Sequence, residues 1–532
     1  MDELGATGDL DALRERATSL AAAWGAAAAS VTTVGQERAI LRLFGVAGID
    51  RARRPLATEV VDRYLAPDPG RLGGGVALPF AMAMAEYDLG PHDLALEVAA
   101  GNVDLGLEAE LLAEPDRRAI AVADATRLAR AALERVDANR TARRELLALL
   151  GDPPRPWLGV ALEEPAIIDA LDEAAIAIDA GVELVRVEVP PSRELTARMA
   201  RIAGGPVEAW RAGPASRGGL DAYDPSGQPI PTGSSRALAV LRRFVDEGGA
   251  RRRGYVRLVT DAPALAAPDQ AVVAAFERID VVVADPMREI VTGRVDPDRA
   301  IADHVFAHRL LARAGTGVLV PAGPLVVAPD LATGVPSDPA TRSGRALALQ
   351  LLAVALARRD GLPASAITVG ALPDWLTDEP DAPARAAAEI ALRRALLPDL
   401  GLAFVEPPLR DDAAVTWHAI AAALLPDAGP VDVILRRPGA SLPARARLTR
   451  AAAAVAAGLA RSRVAPRLAG VAVDHARDAV RVAAATLAAL EETGWRSMVD
   501  QPLGFDESRL GADAVAERTE AFDPLVVGET PA

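Results

Sequence analysis

The chain reads as an α/β protein, a (β/α)8 barrel with an N-terminal helical region and a C-terminal helical extension. Three observations predict this. The first 150 residues carry helical patterning and charge with no strand-like run. From Pro154 short aliphatic runs alternate with longer helix-compatible stretches, and eight such runs follow before the sequence turns Ala-rich again near residue 441. Their apolar residues do not alternate with polar ones, as expected of parallel strands covered on both faces. An open doubly wound sheet is the alternative that the same pattern allows. The division is therefore 1–150 helical region, 151–440 barrel and 441–532 helical extension and tail.

Residues 9–29 are rich in Ala and Leu with charges on one side, which predicts a helix. Pro55 opens a second helix to about Ala66, and Pro67, Pro69 and Gly70 end it. Two short helices follow at 75–88 and 92–99, the latter behind Pro91, a good first-turn residue. Residues 114–149 form a long Arg- and Glu-rich helix. The strands are expected at 157–162, 183–189, 255–260, 279–284, 317–321, 366–370, 402–405 and 431–435. Residues 441–497 return to Ala-rich helix, the tail beyond Pro502 is irregular, and residues 525–532 are expected to be disordered. The Gly-, Pro- and Ser-rich segment 211–235 lies between the second and third barrel strands, on the rim where barrel enzymes place their chemistry.

Of 532 residues 51% are hydrophobic, enough for a large core, while 25% are charged and only 3% aromatic. The net charge of −15 offers nucleic acid no counterion release, so a nucleic-acid partner is not expected. Cysteine is absent, which excludes disulfides, thiolate metal sites and a Cys nucleophile. Every one of the 58 basic residues is arginine, so this chain cannot form a lysine imine with a carbonyl compound or pyridoxal phosphate. The acidic start MDELGATGDLDALRER is unlike a signal peptide, and no run of about 18 apolar residues exists. A cytoplasmic location away from membranes is expected.

Residues 28–45 contain Thr32, Thr33, Val34, Glu37, Arg38, Ala39, Arg42, Leu43 and Gly45 in a T-T-V-x-x-E-R-A-x-x-R-L-x-G arrangement. A second stretch, 255–303, aligns Tyr255, Val256, Arg257 and Leu258, then Glu277, Arg278 and Asp280, then Asp285, Met287, Ile290, Pro297, Arg299 and Asp303. Both resemble the α subunit of the lysine 5,6-aminomutase family, and the likeness runs over roughly residues 28–525. The resemblance implies a barrel whose rim faces a separate Rossmann-type β subunit. That subunit anchors both adenosylcobalamin and pyridoxal phosphate, so the missing lysine is compatible with it. Nor does Asp474-His475 belong to a D-x-H-x-x-G cobalamin-ligand motif. The implied activity is that of an isomerase: a radical 1,2-amino shift on lysine or a related small amino acid, as in lysine degradation.

The motifs that carry this chemistry in the family are largely replaced. The R-[ST]-T-G-Q-S loop corresponds to Val189, Pro190, Pro191, Ser192, Arg193 and Glu194. Only Thr232 and Gly233 echo a G-T-Y-A-T-Q-E-N-F segment. A tyrosine that stacks on the cofactor corresponds to Arg288, and a nearby arginine to Gly293 beside Arg294. An N-T-G-E-D-N-Y-L loop becomes residues 321–328, with Pro324 and Leu325 in place of its acids, and G-H-A-F becomes Gly370 to Pro373. Candidates for catalysis are Arg186 and Glu188, which share a face of one strand, with Asp285 and Arg288 after the fourth strand. Candidates for cofactor binding are Arg193, Thr232, Gly233, Arg257 and Arg294. Each has a structural alternative: a paired charge for Arg186 and Glu188, a helix cap for Asp285.

No metal ligand set is predicted. His304 and His308 have i, i+4 spacing but lack an H-E-x-x-H context, which favours packing; His418 and His475 are isolated. Three functions stay open: an aminomutase subunit, a non-catalytic paralogue acting as a protein-binding scaffold, and a barrel enzyme with different chemistry. The last two need neither cofactor.

Overall fold

A computed structural model of the chain describes residues 7–50, 55–162, 167–187, 235–262, 265–291, 295–322, 338–373, 376, 381–405, 433–436, 466–497, 515–519 and 521–527. The N-terminal region comprises α1 (Thr7–Ala29), β1 (Val31–Thr33), α2 (Val34–Leu43), α3 (Leu56–Leu65), α4 (Ala77–Tyr87), α5 (Pro91–Ala100), α6 (Leu105–Leu111) and α7 (Pro115–Leu150). Proline stands in the first turn of α5 and α7, where its missing N–H costs nothing. The expected helices are all present; α2 and the short α6, capped by the Asp104 side chain on Gly106 N, are additional, and β1 is a short strand in a region expected to be helical throughout.

Eight parallel strands then close into a barrel. They are β2 (Trp157–Leu162), β3 (Leu184–Val187), β4 (Arg257–Asp261), β5 (Val281–Val283), β6 (Gly317–Val320), β7 (Ile367–Gly370), β8 (Gly401–Val405) and β9 (Val433–Arg436), with β9 pairing back onto β2. Closure decides between the barrel and the open sheet. The helices are α8 (Ile167–Asp179), α9 (Ser235–Arg252), α10 (Ala267–Phe276), α11 (Pro286–Val291), α12 (Pro297–Ala314), α13 (Pro339–Arg359), α14 (Ala382–Leu396) and α15 (Pro466–Thr493). The part of the expected C-terminal helix at 441–465 lies outside the described residues.

Alternate strand residues enter two separate cores, because successive side chains point to opposite faces. Leu158, Val160, Val185, Val187, Leu258, Val282, Val318, Val320, Val369 and Leu402 pack outward under the helices. Trp157, Leu184, Val259, Val283, Leu319 and Ala403 fill the interior. Thr260 confirms the register of β4: its hydroxyl accepts from Gln270 Nε2 of α10 at 2.5 Å, so its neighbours Val259 and Asp261 face inward.

The helical region is clasped to the barrel wall by buried polar groups. Thr33 caps α2, accepting from Gln36 N at 3.0 Å, and donates its hydroxyl proton to Asp303 of α12. Asp303 also accepts from Arg299 at 2.5 Å, and Gln36 Nε2 donates to Ala302 O at 2.8 Å. Arg42 of α2 is ion-paired with Asp269 of α10. Glu37 accepts from Thr32 Oγ1 and Val76 N, both at 2.7 Å. The chain returns to this corner at its far end, where β10 (Val515–Glu517) pairs antiparallel with β1.

Candidate functional site

The ends of the barrel differ. At the N-terminal end of the strands, Arg257 is stacked over Trp157 with its guanidinium carbon 3.5 Å from the ring centroid, and its Nη2 donates to Asp152 at 2.6 Å. This aromatic–cation plug closes the floor. Toward the C-terminal rim the apolar interior gives way to charge. Arg186 on β3 and Asp261 at the end of β4 form a two-pronged ion pair, Nε to Oδ1 at 2.9 Å and Nη2 to Oδ2 at 3.0 Å. The parallel register sets Arg186 beside Val259, two residues short of Asp261, within reach of a long side chain. Their side chains stay 15% and 19% exposed, so the pair borders open space. Geometry of this kind also suits a carboxylate or an ammonium from outside: the guanidinium fork matches the first and Asp261 the second.

Asp285 follows β5 and is fully enclosed. Its Oδ1 accepts from Met287 N at 3.0 Å, so it caps the turn into α11. Burial raises its carboxyl to about 6, although the backbone N–H groups of Arg288 and Met287 and the charge of Arg288 oppose the rise. Arg288 itself is exposed on α11. Behind it, Glu289 is buried and pushed well above the ordinary carboxyl range by desolvation. Its Oε1 lies 3.5 Å from Nε2 of His304. His304 Nδ1 is 2.9 Å from Ala300 O, a geometry that places the ring proton there, and burial holds the imidazole neutral, at about 3. His308 Nδ1 contacts Asp360 Oδ2 at 3.1 Å. The two imidazoles therefore serve packing and internal bonding. Among the described residues no group of three metal-ligating side chains is assembled.

The D-lysine 5,6-aminomutase TIM-barrel domain of the alpha subunit matches residues 6–194 and 232–418 of this chain. The chain belongs to this family. Two curated relatives agree with it: the lysine 5,6-aminomutase alpha subunits of Acetoanaerobium sticklandii, at 26% identity, and Fusobacterium nucleatum, at 27%, each over 285 residues. These matches take in 53% of this chain and 50% of each relative, so the chain spans about half the length of the curated relatives it matches. A solved dihydropteroate synthase from Burkholderia cenocepacia, complexed with 7,8-dihydropteroate, covers 58% of this chain and 94% of its own, with a TM-score of 0.33 and 19% identity. That likeness is too loose to argue from.

Within the family frame, the structure brings Arg186 to the rim side of the barrel interior and Asp285 to the end of β5. Arg257, a candidate for cofactor binding, starts its strand and lies at the opposite end, held by Asp152 and Trp157. Glu188, Arg193, Thr232, Gly233 and Arg294 lie outside the described residues, as do His418 and most of the 211–235 segment. Asp261 was missed by the sequence reading, which ended the strand at residue 260. Extending its period of two by one residue would have placed Asp261 on the face of Arg257 and Val259. Of the residues that carry the resemblance, Thr32, Thr33, Glu37, Arg42, Arg299 and Asp303 lie in the clasp and not at the rim.

Neither cofactor fits the described groups of this chain. There is no lysine to hold pyridoxal phosphate. The imidazoles of His304, His308 and His475 are buried and bonded internally, so none is presented to a cobalt ion.

Proposed function

We propose that this chain is the barrel subunit of an aminomutase-type isomerase and that its rim binds a zwitterionic amino acid. The observation that carries the reading is the Arg186–Asp261 pair, a matched cation and anion on the C-terminal side of a family barrel. A substrate carboxylate would take the guanidinium and a substrate ammonium would take Asp261, each replacing half of the existing pair. Such an exchange swaps one charge-assisted contact for another and leaves no buried charge unpaired. The apolar interior below, Leu184, Val259, Val283 and Leu319, would exclude water from beneath the bound molecule.

The resemblance implies a radical 1,2-amino shift that needs adenosylcobalamin and pyridoxal phosphate, and no described group of this chain anchors either. A Rossmann-type cobalamin-binding β subunit is therefore the expected partner, docked over the rim with both cofactors. The chain's own contribution is to bind and orient the substrate.

Expression of the tagged chain in its native host with cobalamin supplied tests this. Recovery of a second subunit with a corrinoid absorbance spectrum is the expected result. In the recovered complex, Arg186→Ala should weaken lysine binding by roughly 10–100-fold, the effect of losing a charge-assisted fork. A colourless chain recovered alone would sink the reading and favour a repurposed barrel.

A further inference from the structure

Four buried side chains connect the outside of the barrel to two strand ends on the rim. Gln350 of α13 donates from Nε2 to Pro321 O at 2.8 Å and to Gly370 O at 3.1 Å, immediately after β6 and at the end of β7. Its Oε1 accepts from Arg393 Nε of α14 at 2.9 Å, and Arg393 Nη2 donates to Ala322 O at 3.2 Å. Arg393 is also ion-paired with Glu389 one turn earlier. Glu389 Oε1 in turn lies 2.9 Å from His475 Nε2, on α15. Ser343 Oγ approaches the same nitrogen at 3.2 Å, while Arg385 Nη1 faces His475 Nδ1 at 3.2 Å. Because Arg385 can only donate, Nδ1 is the acceptor and Nε2 carries the proton toward Glu389. This polarity is opposite to that of a nucleophilic triad, in which Ser and the carboxylate flank different nitrogens.

Burial alone would raise the Glu389 carboxyl. The charge of Arg393 outweighs it, helped by the hydrogen bonds of His475 and Ser343, and lowers it to about 2. Glu389 is thus held ionised against Arg393, enclosed in the wall. The chain of contacts acts on a tight joint. A Cβ on Gly370 would come within 2.4 Å of Ala322 N, so the two strand ends abut backbone to backbone. The family match ends at residue 418, yet α15 begins at Pro466.

We infer that His475, on a helix beyond the family-matching segment, is a positioning residue for the rim: through Glu389, Arg393 and Gln350 it holds the ends of β6 and β7 in register. The role rests on the rim being the working face, as proposed above. The physical need is plain. Arg393 is enclosed, so its charge must stay balanced for its donors to stay aimed at Ala322 O and Gln350.

Hydrogen exchange of the full chain, without ligand, reads this directly. His475→Leu should speed exchange of the amides within 317–322 and 367–371 by roughly tenfold or more, while 184–187 and 257–261 keep their protection. His475→Gln, whose amide can occupy the place of Nε2, should restore the wild-type pattern. If His475→Leu does not fold, His475→Asn removes the donor from that side while keeping a polar group, and the same rise is expected. Unchanged exchange at the two strand ends, a rise confined to α15, or equal rises in the Gln and Leu variants would overturn the inference. Because no ligand or partner enters the measurement, a failure to recover a β subunit leaves the inference standing, and a failure here leaves the proposed function standing.

Discussion

Asp285 is enclosed at the end of β5, and burial raises its carboxyl from 3.8 to about 6. The folded state therefore favours the neutral acid. Its contribution is most favourable below pH 3.8 and is lost as pH rises through about 6. Asp285→Asn keeps an acceptor for Met287 N and never ionises. It should be more stable than wild type by about 2–3 kcal/mol at pH 8, with the gain vanishing toward pH 4. Thermal melts of both proteins across that range check this; a gain independent of pH would contradict the assignment. At this scale the sequence put Asp285 just after the fourth barrel strand and gave Arg186 a strand face shared with Glu188, because a period of two is readable from the residues; that this face is the barrel interior came from the structure. It did not reveal that Arg186 pairs with Asp261. That partner is 75 residues away in sequence and is set by strand register alone.

Among the elements, α2 and β1 show what the strongest sequence signal was for. Thr33, Arg42 and their partners Asp303 and Asp269 dock the helical region onto α12 and α10. Arg42 and Asp269 are both almost fully enclosed. Removing one carboxylate from this enclosed pair takes away the counter-charge that Asp269 supplies to Arg42, so Asp269→Ala should cost about 3–5 kcal/mol. The double variant Arg42→Met with Asp269→Leu removes both charges and should recover most of that loss. Denaturant midpoints at unchanged slope would provide the cycle, and additive losses would refute the coupling. The pattern Thr-Thr-Val-x-x-Glu-Arg was legible as a family resemblance, and the structure shows it to be a helix start with Thr33 as its cap. Its tertiary role was not legible, because capping and docking use the same residue types. The His304–His308 pair is similar: helical spacing put both on one face, but only packing showed that Ala300 O and Asp360 occupy them.

For the whole molecule, eight strands close into a barrel and the chain carries a net charge of −15. No helix among the described residues is long and apolar enough to cross a membrane. If a complex with pyridoxal phosphate forms, borohydride reduction should leave the phosphopyridoxyl group on a lysine of the partner. Peptide mass mapping should find no reduced lysine adduct in this sequence, which contains no lysine. A complex whose partner also lacks the label would show that the cofactor is absent or held without an imine.

What the sequence by itself determined is local and periodic. Eight unalternating aliphatic runs, helix starts at Pro, and the absence of Cys and Lys follow from residue types at short spacing. They narrowed the architecture to a barrel or an open doubly wound sheet, and the last of them excluded a lysine imine on this chain. What only the tertiary structure decided is which distant groups meet. Closure of β9 on β2, the Arg186–Asp261 fork, the Thr33–Asp303 clasp and the path from His475 to Gly370 all join residues from separate elements. Hydrogen bonds and ion pairs act over a few ångströms of space whatever the distance along the chain. Only the folded path of the backbone decides which of them form.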